Sequence, residues 1–106
     1  MYATRRLLQG CRITLFSRPN CGLCDEAAEA LSEVAKRRPF AYTTVDVLNR
    51  ESRPWRKLYG FDVPVIHISK ASAQPEEPLE AAEAVKLMHR FTPAEIEAKM
   101  DQVEAS

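Results

Sequence analysis

Residues 13–26 read Ile13-Thr14-Leu15-Phe16-Ser17-Arg18-Pro19-Asn20-Cys21-Gly22-Leu23-Cys24-Asp25-Glu26. An apolar, partly β-branched run, Ile13 to Phe16, reads as a buried strand. Ser17 to Asn20 is a turn, and the turn opens a helix. Asp25 and Glu26 stand in the first turn of that helix, where acids suit the positive end of its macrodipole. Ala27, Ala28, Ala30, Leu31, Val34 and Ala35 supply an apolar face. Lys36-Arg37-Arg38 place cations in the last turn as a solvated end, and Pro39 stops the helix. Phe40 to Val47 is a second strand. Strand, helix and strand thus fall within about 35 residues, which is a βαβ unit with parallel strands and a right-handed crossover.

Downstream, Pro54 suits the first turn of a shorter helix through Tyr59, with Gly60 as its stop. Val63-Pro64-Val65-Ile66-His67-Ile68 is a third strand with a proline at its entrance. Residues 70–84 form a long acidic loop whose second half can make a helical turn. Val85 to Phe91 is a short fourth strand. Thr92-Pro93-Ala94-Glu95 combines an N-cap, a proline at the first helical position and the glutamate of a capping box. The last helix runs to about Val103, with Ile96, Met100 and Val103 on one face. The fold class is α/β, a four-stranded mixed sheet in β-α-β-α-β-β-α order.

The chain has 106 residues, so a single domain is expected, with 1–10 as a flexible N-terminal arm. That arm carries arginines but no apolar core of a secretory signal; a short mitochondrial presequence is the other reading. No apolar run approaches the ~20 residues of a membrane span. Formal net charge is zero, which speaks against nucleic acid as a partner. The balance hides a gradient. Arg5, Arg6, Arg12 and Arg18 face no acid within residues 1–24, whereas residues 71–106 hold Lys86, Arg90 and Lys99 against Glu76, Glu77, Glu80, Glu83, Glu95, Glu97, Asp101 and Glu104.

Positive charge therefore surrounds the pair Cys21-x-x-Cys24. A thiolate is the reactive form of cysteine, and Cys21 at a helix N-terminus meets unpaired N–H groups and the positive dipole end. Arg18 adds to the effect. Cys21 is the candidate nucleophile, and Cys24, one turn on, is the candidate resolving thiol, more buried and less reactive. Half of a zinc site is an alternative, but Cys11, His67 and His89 do not form a second close pair, so no metal is expected. Inert packing is the other. Three cysteines spaced this way are not a secreted disulfide framework, and Cys11 carries no expected role.

A strand, CxxC at a helix start, and Val63-Pro64 entering a strand about 40 residues later resemble the thioredoxin fold. The Arg-Pro-Asn-Cys-Gly-Leu-Cys context resembles a glutaredoxin. Cys-Gly-Leu-Cys-Asp-Glu-Ala with Leu-Met-His-Arg-Phe resembles a small group of glutaredoxin-like proteins from fungi and other organisms. The resemblance spans roughly residues 11–104. It implies that Cys21 and Cys24 are the active-site pair and that Arg18 lies near the glutathione carboxylate. It also implies that the Val63–Pro64 bond is cis, leaving the Val63 backbone free to pair with a substrate cysteine like an added strand. Arg56 and Lys57 match the helix that meets the substrate's glycyl carboxylate. The chain departs from the family in three places. Leu23 replaces an aromatic residue, and His89-Arg90-Phe91-Thr92-Pro93 replaces a Gly-Gly turn that holds the glutathione γ-glutamyl end. The acidic loop 70–84, expected to alter access to Cys21 or bind a partner, replaces a tight hairpin.

His67 is expected as a hydrogen-bonded core residue, His89 at a strand edge, Trp55 packed on the sheet or bordering a groove, and Thr92 as an N-cap. The leading functional expectation is a thiol–disulfide oxidoreductase of glutaredoxin type acting on glutathione or protein disulfides. No cofactor is held tightly, glutathione serves as co-substrate, and no membrane partner is expected. The protein is expected to be an intracellular monomer, cytoplasmic or mitochondrial. Two alternatives are a non-catalytic thioredoxin-fold interaction or redox-sensing module, and a glutathione-dependent iron–sulfur dimer.

Overall fold

The computed structural model describes residues 10–106; apart from Gly10, the N-terminal arm lies outside the described residues. Four strands and three α-helices follow in order among them: β1 (Cys11–Ser17), α1 (Gly22–Arg37), β2 (Ala41–Asp46), α2 (Arg53–Tyr59), β3 (Val65–Lys70), β4 (Val85–Met88) and α3 (Pro93–Ala105). Short 3-10 turns occupy Arg50–Ser52 and Pro78–Glu83. The sheet order is β2-β1-β3-β4, with β1 parallel to β2 and antiparallel to β3, and β3 antiparallel to β4. This is the mixed sheet and the element order that the sequence implies.

Strand alternation on the central β1 sends Ile13 and Leu15 to one face and Thr14 and Phe16 to the other. The first face, with Ile66 and Ile68 of β3, is covered by Ala27, Ala30, Leu31 and Val34 of α1 and by Ile96, Met100 and Val103 of α3. The second face gathers Phe16 and Val65 under Tyr59 of α2, Val47 and Ala81, with Trp55 packed against them. Fully buried side chains such as Ile66 and Phe16 each contribute roughly 2–3 kcal/mol through lost apolar surface. Cys11 belongs to the first core, where burial and the Glu104 carboxylate push its thiol up to about 12.

Several local expectations need correction. Ala28 and Ala35 are exposed, because α1 buries a narrower stripe than its alanines suggest. Arg37 and Arg38 are not a free solvated end: Arg37 pairs with Glu97 at 2.7 Å, and Arg38 with Asp101 and Glu104, both at 2.8 Å. The acids of α3 thereby dock its face onto the end of α1. β3 begins at Val65 rather than Val63, and β4 ends at Met88. His89 lies just past that strand in a turn, with φ 67°, and its N–H donates to the Pro64 carbonyl at 2.8 Å. Histidine is among the few residues that tolerate this left-handed region. Gly60 does end α2, but with a helical φ of −53°. What requires glycine is close approach, since a Cβ there would stand 2.6 Å from the Arg56 carbonyl oxygen.

The capping box of α3 is present as the sequence implies. The Glu95 N–H donates to Thr92 Oγ1 at 3.1 Å, and the Thr92 N–H donates to Glu95 Oε1 at 2.9 Å. Thr92→Ala is expected to cost about 1 kcal/mol, read as a lower urea midpoint at unchanged slope. An unchanged midpoint would show that the cap is dispensable.

Candidate active site

Parallel strands deliver their C-terminal ends to one end of the sheet, and the CxxC turn sits there. β1 leaves the sheet at Ser17, opposite Asp46 of β2. The chain reverses at Asn20, whose φ of 56° is a left-handed conformation that asparagine accepts at low cost. Cys21 is the N-cap of α1. Its Sγ accepts the Cys24 N–H at 3.2 Å, and its carbonyl accepts the Asp25 N–H at 3.2 Å. Cys21 and Cys24 are joined as a disulfide, with Cα atoms 5.2 Å apart. Cys21 is partly exposed, while Cys24 is 5% exposed and belongs to the second core. Cys21 is thus the more accessible of the two, and Cys24 the more enclosed.

The Val63–Pro64 peptide bond is cis. Val63 packs in the same cluster as Cys24, against which Cys21 and Trp55 also lie, so the sequence-distant Val-Pro and CxxC elements meet. Among the described residues the Val63 N–H and C=O make no backbone hydrogen bond. Arg18 is exposed in the turn, as are Arg56 and Lys57 on α2. Trp55 is half-buried, its ring centroid 4.4 Å from that of Phe16 and 5.9 Å from that of Tyr59, with which it stacks.

His67 is 1% exposed and fully engaged. Its Nδ1 lies 2.7 Å from Glu76 Oε1, and its Nε2 lies 2.7 Å from the Tyr59 hydroxyl. A carboxylate only accepts, so Nδ1 carries the proton, and Nε2 and the Tyr59 hydroxyl share the second hydrogen bond. Arg12 donates to the other Glu76 oxygen at 2.7 Å and to the carbonyls of Ala73 and Gln74. The His67 hydrogen bond is the main cause that holds the Glu76 carboxyl down to about 2; burial opposes it and Arg12 reinforces it. Burial, with Glu76 and Asp62 nearby, raises the Tyr59 phenol. The acidic loop is thereby strapped over the second sheet face at Glu76. Sequence reasoning missed Glu76 and Tyr59 as His67's partners; a histidine in the middle of a buried strand was the signal that partners had to exist.

No cluster of three or more His, Cys, Asp or Glu side chains able to hold a metal ion occurs among the described residues. No helix there is long and apolar enough to cross a membrane.

A family model, the glutaredoxin-like domain, matches residues 12–101. Among solved structures, the chain is similar to a structural-genomics target protein from X. campestris at 27% identity, covering 85% of this chain and 96% of that one, with a TM-score of 0.58. It is similar to a chloroplastic thioredoxin z at 23% identity, covering 98% and 84%, with a TM-score of 0.66. A thioredoxin O2 from Arabidopsis thaliana in its oxidised state is 14% identical over 97% and 87%, with a TM-score of 0.60. The last two likenesses concern the thioredoxin fold alone.

Proposed function

The chain belongs to the glutaredoxin-like domain family, and on that premise we propose that it is a thiol–disulfide oxidoreductase with Cys21 as nucleophile and Cys24 as resolving thiol. The observation that carries this is the Cys21–Cys24 disulfide at the start of a 16-residue helix, with Cys21 partly exposed and Cys24 buried. Once the pair is reduced, the Cys24 N–H and the helix N-terminus favour a thiolate at Cys21 over a thiol. That thiolate attacks one sulfur of a target disulfide, forms a mixed disulfide and releases the other target sulfur as a thiolate. Cys24, losing its proton, attacks the Cys21 sulfur and expels the second target thiolate. Two electrons have then passed to the target, and the Cys21–Cys24 disulfide remains.

Protein disulfides are the oxidised substrates on this reading, held along the free Val63 backbone like an added strand. Glutathione is the co-substrate that restores the dithiol, two molecules per turnover, with Arg18 beside its carboxylate. As an oxidised substrate, glutathione lacks the γ-glutamyl seat that a Gly-Gly turn would provide. Pro93 has no N–H to offer, and Thr92 Oγ1 already accepts the Glu95 N–H as the cap of α3. No resident cofactor is called for, and the setting is an intracellular compartment, cytoplasmic or mitochondrial, where the protein acts as a monomer.

Cys24→Ser tests the order of events. The variant is expected to accumulate a mixed disulfide through Cys21 when mixed with an oxidised protein substrate, seen as a mass increase that dithiothreitol reverses. Absence of that adduct under conditions where wild-type protein reduces the substrate would place the nucleophile elsewhere.

A further inference from the structure

Among the described residues the cations away from the active-site end are engaged, Lys99 excepted. Arg12 pairs with Glu76, Lys36 with Glu33, Arg37 with Glu97, and Arg38 with Asp101 and Glu104. Lys86 donates to the carbonyls of Ala81 and Ala82. By contrast, Arg18, Arg50, Arg53, Arg56 and Lys57 make neither a side-chain hydrogen bond nor an ion pair among these residues, and all are exposed. Residues 1–9 contain no acidic side chain that would pair with them.

All five follow the C-terminal ends of the two parallel strands. Ser17 and Asp46 are opposite each other at the ends of the parallel strands, and the Val47 N–H donates to the Ser17 carbonyl at 2.9 Å. Arg18 follows the first strand end, and Leu48 to Arg56 follow the second. On α2, Trp55 and Tyr59 turn toward the core beside Cys21. Arg53 and Lys57 therefore stand on the opposite, solvent side, and Arg56 on its flank. Arg50, Arg53 and Arg56, spaced three apart, line one cavity of about 190 Å³ with Leu48 and Asn49. Like charges at this spacing oppose one another by a few tenths of a kcal/mol each. Acids are close by but do not neutralise the cavity. Asp46 accepts the Leu48 N–H, Asp62 faces His89, and Glu51 is in no ion pair among the described residues.

We infer that this arginine-lined cavity is a docking site for an acidic segment of the polypeptide whose disulfide Cys21 attacks, which presupposes the exchange chemistry proposed above. Charge complementarity selects the partner: guanidinium forks bind carboxylates in pairs of parallel hydrogen bonds. The cavity takes one or two carboxylates at a time and offers Leu48 for apolar contact. That mixture fits an acidic, partly apolar peptide better than the evenly spaced phosphates of a nucleic acid.

Two synthetic peptides with the same intramolecular cystine, one flanked by four Asp or Glu residues and the other by four Gln residues, test this against the full chain, with dithiothreitol as regenerating reductant. The acidic-flank peptide is expected to be reduced with about tenfold higher kcat/KM at low salt. The preference should shrink as NaCl rises, since exposed charges are screened over about 10 Å at 0.1 M. Arg50→Gln/Arg53→Gln keeps helix propensity and should cut the preference to about twofold, leaving reduction of bis(2-hydroxyethyl) disulfide unchanged. Equal rates for the two peptides, or a preference that survives in the double variant, overturn the proposal. If wild-type protein reduces no disulfide at all, it is the oxidoreductase reading that fails. Docking is then decided by fluorescence anisotropy with the acidic peptide carrying serines in place of cysteines. Binding lost in the double variant supports the site and no binding overturns it, as does equal affinity for a single-stranded oligonucleotide.

Discussion

Cys21→Ser is expected to slow protein disulfide reduction by about 10³-fold or more, to the rate seen without protein, because it removes the atom that forms the mixed disulfide. A serine hydroxyl at the same place is not ionised near neutrality and cannot exchange with sulfur. The loss should not come from unfolding. Cys21 is the N-cap of α1, its side chain accepting the Cys24 N–H, and serine is among the preferred residues for that task. Urea unfolding of the reduced variant should therefore match that of the reduced wild type to within about 0.5 kcal/mol. Activity and stability separate cleanly at this position. Retained turnover in a folded Cys21→Ser protein would remove Cys21 from the chemistry.

The same stretch shows how far the sequence carries. Strand, turn, paired cysteines and capped helix are local features, each set by residues within about five positions, and they are legible one by one between Ile13 and Arg37. The capping box at Thr92 is legible for the same reason. The meeting of Val63 with Cys24 is not local; it follows from the topology, and only the resemblance to a thioredoxin fold put it in view. Least legible are contacts made by long side chains across the fold. Arg38 reads as a helix-end cation, yet its partners Asp101 and Glu104 lie on another helix. Glu76 reads as one acid in an acidic loop, yet it is the one that reaches the interior. The alternation of β3 places His67 inside, but it does not say which distant carboxylate answers it. The cluster of Arg50, Arg53 and Arg56 is written in plain three-residue spacing. Its meaning depends on the lack of any ion pair to these arginines among the described residues, which spacing does not reveal.

Glu76→Gln is expected to lower stability at pH 7 by about 2 kcal/mol, and the thermal midpoint by roughly 8 °C. The glutamate oxygens serve His67 and Arg12, at 2.7 Å each, and the Ser69 hydroxyl at 3.3 Å. Glutamine keeps the shape but removes the charge, and it presents an NH₂ to one donor that needs an acceptor. An Arg12 guanidinium with a side chain only 15% exposed is then left without its counter-charge. Acid should produce the same loss in the wild type. The carboxyl is held at about 2 in the folded protein against an ordinary value of 4.5. Its ionised form is thus favoured by folding, and its contribution is complete above pH 4.5. The contribution declines as pH falls, because the unfolded chain takes up the proton first, and it is gone once the folded carboxyl also protonates near 2. With discount for the solvent that reaches a side chain 16% exposed, this linkage also amounts to about 2 kcal/mol. Urea unfolding of wild type and Glu76→Gln at pH 6 and pH 3 reads both effects together. The gap between the two proteins should shrink to less than half at pH 3, with the variant itself depending less on pH across that window. A gap of constant size would mean that Glu76 acts through shape and not through its charge. The strap would then be held by packing of the 70–77 segment, and His67 would keep its orientation without an anionic partner.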